Sequence, residues 1–285
     1  MKEARRIRRR YAYRLTTVQS EALAERLEHL VAGLRGQEPL DPAVDAIGAL
    51  LDGELAFAKK SSMRQYVESI GAVVFVALCL RSFVVEAYQI PSGSMIPTLQ
   101  VGDHIFVNKM IYGVRLPFTE IKFATNFRQP RRGEIIVFTH PVERDKDLIK
   151  RVVAVGGDEV EMRGNVVFVN GVPTARRDEG ARHYFDFDEG SERWVERDAE
   201  AFGERIGPAA YTTLQDPSQL PRQFGPVHVP DGQLFVMGDN RDNSSDSRYW
   251  GFVPLNLVRG RAMVVWWSHG EPEGIRFARF GHLLE

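Results

Sequence analysis

Tyr66–Leu80 reads YVESIGAVVFVALCL, with one charge, Glu68, and it separates two unlike parts of the chain. Arg81 interrupts the apolar run and Ser82-Phe83-Val84-Val85 resumes it. The uncharged stretch Ser69–Leu80 is short enough for a buried helix of a soluble protein. Its surroundings favour a membrane instead. A helix over 65–82 reaches about 27 Å, close to the roughly 30 Å of a hydrocarbon core. Glu68 and Arg81 fall near its ends, where long side chains reach the interface. Lys59, Lys60 and Arg64 precede it, and the first 14 residues carry seven basic side chains: Lys2, Arg5, Arg6, Arg8, Arg9, Arg10 and Arg14. Basic flanks stay on the cytoplasmic side. The sequence therefore predicts a single transmembrane helix over 65–82, a cytoplasmic segment over 1–64, and an extracytoplasmic domain over 83–285. The run starts too deep in the chain for a cleaved signal peptide.

Ahead of the run, Leu23, Leu27, Leu30, Val31 and Leu34 recur at helical spacing, and Asp41-Pro42 opens a second series, Val44, Ile47, Leu51 and Leu55. Two amphipathic helices follow from this. Beyond the run the pattern turns to short strands, at 83–90, 104–109, 134–139, 148–155, 166–169, 234–237 and 261–267. Asn170-Gly171 between two of them signals a type I′ hairpin. No helical pattern alternates with these strands, which argues against a doubly wound α/β fold. The expected class is mostly β: an antiparallel sheet domain with an inserted lobe over 174–229, where charges and Pro217, Pro221 and Pro226 break the pattern. One cysteine, Cys79, rules out an intramolecular disulfide and any multi-cysteine metal or redox site. A net charge of −1 argues against a nucleic-acid binder.

Two segments and a lysine stand out as chemistry. In Ile90-Pro91-Ser92-Gly93-Ser94-Met95-Ile96-Pro97, serines and a glycine lie between prolines, a loop that can hold a hydroxyl rigid. A nucleophilic serine needs a base. Six of the seven histidines follow the apolar run, and none sits in a motif-like setting. Lys150 is the other option. Alternation in LIKRVVAV puts Leu148, Lys150, Val152 and Ala154 on one face, where an amine is desolvated and its pKa falls. Arg151 stays protonated and cannot serve. Lys109 shares a face with Ile105 and Val107, so periodicity alone does not choose between the two lysines. The segment from Gly238 to Gly251, GDNRDNSSDSRYWG, is a dense polar loop. Asp239, Asp242, Asn243 and Asp246 offer hard oxygens, but the spacing is not that of an EF-hand and two arginines repel a cation. Aspartates each two residues from an arginine fit ion pairs that stiffen a loop.

PSGSMIPTL, GDHIFVNK, the Lys150-Arg151 strand running to Gly156-Gly157-Asp158, and GDNRDNSSDSRYWGFVP occur in this order after the apolar run. Together they closely resemble the bacterial type I signal peptidases, or leader peptidases. The match covers 70–175 and 230–267, and GIRFARFG near the end is also family-like. The resemblance implies a serine peptidase with Ser94 as nucleophile and Lys150 as general base, without metal or organic cofactor. It implies an oxyanion hole from the Ser94 main-chain N–H and the Ser92 hydroxyl. Ser244 would hydrogen-bond the lysine amine, Asp246 and Arg248 would brace that loop, and Asp239 would pair with Arg151. The implied partners are membrane lipid and preproteins whose signal peptides carry small residues at −1 and −3 from the cut, with no nucleic acid. A self-cleaving repressor would need a DNA-binding domain and no membrane segment, and a non-enzymatic anchored binding protein would not need both Ser94 and Lys150. Trp266-Trp267 and the Phe/Arg-rich tail suit either a bilayer surface or a packed strand.

Overall fold

The computed structural model describes residues 4, 7–9, 11–36, 39–56, 62–115, 122–124, 128–188 and 190–284. Lys2, Arg5, Arg6, Arg10, Lys59 and Lys60, on which the expected orientation leans, lie outside them. The chain divides into two compact units, residues 1–76 and 77–285.

The first unit holds the two expected helices, Thr17–Leu34 and Leu40–Asp52. Thr16 and Gln19 form a reciprocal capping box that satisfies two orphan amides of the first helix. The second starts at Leu40, ahead of Asp41, which sits in its first turn where a negative charge suits the helix dipole. Leu23, Leu27 and Leu30 share one apolar cluster with Ala43, Ile47 and Leu50. Leu34 and Val44, members of the two apolar series, are exposed.

The apolar run forms the helix Ser62–Cys79. Among the described residues no helix is long and apolar enough to cross a membrane, which corrects the expected span over 65–82. Two features account for the difference. Arg64, Gln65 and Glu68 occupy its first two turns. At its other end, Leu80–Val84 wind into a π-helical turn that leads straight into the strand Val85–Gln89 instead of extending the helix. Val67, Ile70, Val73, Phe75 and Leu78 are exposed.

The second unit is mostly β and antiparallel. Its main sheet runs in the order Val85–Gln89, Asp103–Asn108, Val258–Gly270, Ile135–Thr139, Asp147–Val155, Gln233–Met237 and Val253–Pro254, with two short strands from the C-terminal stretch also paired to Val258–Gly270. Every residue of Ile135–Thr139 is buried, as are Lys150 to Ala154. These central strands are covered on both faces. Ile135, Val137 and Ile149 face one apolar cluster, and Ile136, Phe138, Leu148 and Val152 face another. Ala154, expected on the Lys150 face, packs instead in a third cluster with Val153 and Phe235. Trp266 stacks on Phe106, and Trp267 packs against Phe280.

Residues 159–173 and 224–228 make a separate four-stranded sheet, in which Asn170 and Gly171 turn with φ of 54° and 74°, both left-handed as a type I′ hairpin requires. The 174–229 region is built on three long antiparallel strands, Ala175–Asp188, Arg193–Ile206 and Ala209–Gln215.

Candidate active site

Strand Val85–Gln89 delivers the chain into a 3-10 turn, Gly93–Met95, that presents Ser94. Met95 and Leu99 anchor the turn from below, in the same cluster as Ile90 and Ile105. Ser94 is itself buried, with 7% of its surface exposed. The Asn240 amide donates to the Ser94 carbonyl at 3.1 Å, and the Asn240 side chain donates to the Gly93 carbonyl at 3.1 Å. Two of the turn's three carbonyls, those of Gly93 and Ser94, are thereby fixed by one residue of the Gly238–Gly251 loop. Ser92 lies two residues earlier, half-buried, and its hydroxyl makes no capping hydrogen bond to the turn.

Lys150 comes from the middle of Asp147–Val155, in register with Ile136 on one neighbouring strand. Its Nζ is 2.6 Å from Ser94 Oγ, in a hydrogen bond. Only 3% of the residue is exposed, and among the described residues no carboxylate lies within ion-pairing distance of the amine. Burial draws its pKa from 10.5 to about 8, against the pull of Asp246 and Asp239 and with help from the positive Arg248. Lys109, the other lysine that periodicity allowed, follows the end of its strand and is in an ion pair with Glu86 at 3.4 Å.

The next residue, Arg151, points to the opposite face. It meets Asp239 in two hydrogen bonds of 2.9 and 2.8 Å, both side chains being 1% exposed. Its third nitrogen donates to the Gly133 carbonyl at 2.7 Å, and its guanidinium lies over the Tyr211 ring at 3.9 Å. Thr98, four residues after Ser94, donates to Asp239 at 2.5 Å. Arg151 thus ties the Lys150 strand to both flanking loops.

Asp246 organises the end of the polar loop. It accepts from the Gly238 amide (3.0 Å), from Ser244 Oγ (2.8 Å) and from Arg248 Nε and Nη2 (2.7 and 2.8 Å). Burial by itself would raise its pKa, but the Arg248 hydrogen bonds and charge outweigh it and hold the carboxyl low. Ser244 therefore differs from the expectation. Its hydroxyl donates to Asp246, while the hydrogen bond of Lys150 goes to Ser94. The negative Asp246 is the stronger acceptor and sits only two residues away. Gly238 has no room for a side chain, because a Cβ would overlap the Ser94 carbonyl and the Ser244 hydroxyl.

The carboxylates that the sequence offered as cation ligands are occupied by protein donors. Arg151 takes Asp239, Arg248 takes Asp246, and Asp242 accepts the Asp216 amide at 2.9 Å and pairs with Arg222. No cluster of potential metal ligands is found among the described residues.

The sequence reading left out the contribution of the 174–229 lobe. Leu214 bridges the loop directly: its amide donates to the Asp239 carbonyl, and the Arg241 amide donates to its own carbonyl. Arg241 forms a fully buried pair with Glu204 through bonds of 3.0 and 2.7 Å. No sequence signal marked this pair: the loop has three aspartates for two arginines, and only the structure shows Asp239 taken by Arg151, Asp242 by Arg222 and Asp246 by Arg248, so that Arg241 meets an acid of the lobe.

The family model described as signal peptidase, peptidase S26, matches residues 63–267. A signal peptidase I of Pseudomonas fluorescens is 39% identical over 227 residues, which cover 75% of this chain and 76% of that one. A signal peptidase I of Pseudomonas aeruginosa is 37% identical over 240 residues, covering 79% and 80%. A solved signal peptidase I from Enterococcus faecalis V583 matches 48% of this chain and 98% of its own at 27% identity, with a TM-score of 0.28.

Proposed function

We propose that this chain, which belongs to the signal peptidase family, peptidase S26, removes N-terminal signal peptides from exported preproteins by means of Ser94 and Lys150. The observation that carries the dyad is the 2.6 Å contact between Ser94 Oγ and a buried amine that, among the described residues, has no carboxylate partner. The neutral amine of Lys150 takes the Ser94 proton as Oγ attacks the scissile carbonyl. The Ser94 amide and the Ser92 hydroxyl receive the oxyanion that develops. The intermediate collapses to an ester on Ser94, and the Lys150 ammonium returns its proton to the departing amine. Water then gives its proton to Lys150 and hydrolyses the ester, which regenerates the hydroxyl. The same arrangement of nucleophile and base serves other folds with histidine in the lysine's place.

Small residues at −1 and −3 suit an extended substrate that adds as a strand, because alternate side chains then enter neighbouring pockets. Arg248, Asp246 and Ser244 act by holding the loop against the serine turn, and Asp239 with Arg151 locks the lysine strand in register. Contact with lipid falls to the Ser62–Cys79 helix, whose exposed Val67, Ile70, Val73 and Phe75 form apolar surface of the kind that enters a bilayer.

The test is direct. Detergent-solubilised protein is incubated with a preprotein bearing an Ala-x-Ala site, and the new N-terminus is mapped by mass. Cleavage after the second alanine by wild type, and none by Ser94→Ala, is expected. Undiminished cleavage by Ser94→Ala would overturn the assignment.

A further inference from the structure

Two residues of the inserted lobe, Tyr184 and Asp186, stand on one face of strand Ala175–Asp188, as residues two apart in a strand must. They meet two amides of the polar loop that are three residues apart. Tyr184 Oη accepts from Asn240 Nδ2 at 3.0 Å, and Asp186 Oδ2 accepts from Asn243 Nδ2 at 2.6 Å. Between these contacts lies Gly93. Asn240 donates to its carbonyl, and the Asp186 carboxylate packs so closely on its Cα that a Cβ there would overlap all three carboxylate atoms. Asp186 thus touches the residue before Ser94 and the residue before Ser244 at once.

From this juxtaposition we infer that Asp186 is a positioning residue for the nucleophile: the lobe's carboxylate is the stop against which the Gly93–Met95 turn is set. The inference rests on Ser94 being the nucleophile. Placing a carboxylate here has a cost, since burial raises the Asp186 pKa, offset in part by Asn243 and by Arg197 at 3.4 Å, with Asp188 opposing. A site that needed only apolar filler would use a leucine or valine at no such cost. A carboxylate supplies two things that filler lacks, an acceptor for Asn243 and a flat, short group that fits over a bare Cα.

The test is a double-mutant cycle on the full-length, detergent-solubilised chain with the Ala-x-Ala preprotein as substrate. Cleavage by wild type and its loss in Ser94→Ala establish the reading beneath; if either fails, that reading falls on its own account. Gly93→Ala should lower kcat by about 100-fold, the scale of an ångström-sized misplacement of a reacting group. In an Asp186→Ala background the added methyl has space, so the same substitution should cost less than about 5-fold. In an Asp186→Asn background the space stays filled and the full loss should persist. Asp186→Ala alone should lower kcat about 10-fold with KM unchanged, while Asp186→Asn stays within about 3-fold of wild type. Amide hydrogen exchange over residues 93–96 supplies a readout independent of cleavage: Asp186→Ala should speed it while the sheet amides of 147–155 stay protected. Asp186→Ser repeats the cycle if the alanine variant folds poorly. Equal loss from Gly93→Ala in all backgrounds, or wild-type kcat and exchange in Asp186→Ala, would overturn the proposal.

Discussion

A lysine at its ordinary pKa of about 10.4 is almost wholly protonated at pH 7 and accepts no proton. At about 8, Lys150 is neutral in roughly one molecule in ten at that pH. Cleavage under kcat/KM conditions should therefore rise with pH through a single ionisation near 8 and level above it. Lys150→Arg, which stays protonated, should be inactive across the range, whereas Lys109→Arg should keep activity because Lys109 pairs with Glu86 away from the serine. A flat profile from pH 5 to pH 9 with chemistry rate-limiting would rule the lysine out as base. The same shift bears on stability, and its sign is fixed. The folded pKa of about 8 lies below the unfolded value of 10.5, so between them the unfolded chain binds more protons and stability rises with pH. Below about 8 both states hold the proton and the cost of burying it, about 3 kcal/mol, stands in full. Lys150→Met should raise the unfolding midpoint at pH 7, and its advantage should shrink towards pH 10. Ser92→Ala removes one oxyanion donor and should cost about 10²–10³ in kcat with KM little changed, the range found for single donors of this type.

At the scale of elements, the start of the polar loop is held by two buried ion pairs, Arg151 with Asp239 and Arg241 with Glu204. Removing one partner of such a pair strands the other charge. Glu204→Ala, far from the serine in sequence, should destabilise the fold by about 3–5 kcal/mol by chemical denaturation. It should also lower cleavage to the fraction that remains folded. A loss under 1 kcal/mol would show that the pair is not holding the lobe to the loop. The sequence made one half of this arrangement legible. Asp239, Asp246, Arg248 and Arg151 stand in compact motifs, and the strand pattern at 148–155 exposed Lys150 as an amine among aliphatics. It did not choose Lys150 over Lys109, because alternation reports a face and not what covers it. Ser244, for which the resemblance implied a hydrogen bond to the lysine amine, donates to Asp246, whose charge decides where that proton goes. The lobe was opaque because Ala175–Asp188 carries polar residues on both faces, ARRDEGARHYFDFD, so neither period 2 nor an apolar run marks it as a strand. Its buried partners, Glu204 and Asp186, look like any surface acid until the loop they face is in place.

For the molecule as a whole, the proposed lipid contact of the Ser62–Cys79 helix is what would set where the chemistry happens. Val73→Asp with Phe75→Asp should release the chain from vesicles of phosphatidylethanolamine and phosphatidylglycerol in a flotation assay. Cleavage of a soluble peptide substrate should survive. Retention on the vesicles would move the lipid contact elsewhere. Protease added outside sealed vesicles then tells whether residues before 56 and after 90 share a side, which separates a helix lying in the interface from one passing through it. The hydrogen bond between Ser94 and Lys150 closes over 56 residues of sequence, that of Arg151 with Asp239 over 88, and that of Asn240 with Gly93 over 147. Contacts of such separation form late, after local hairpins and helices have paid little loop entropy for theirs. During synthesis and refolding, then, the chain carries a serine and a lysine that are not yet a pair. Recovery of cleavage should lag recovery of the far-ultraviolet signal. A protease so arranged is inert until those distant contacts close: its chronology of folding is its restraint.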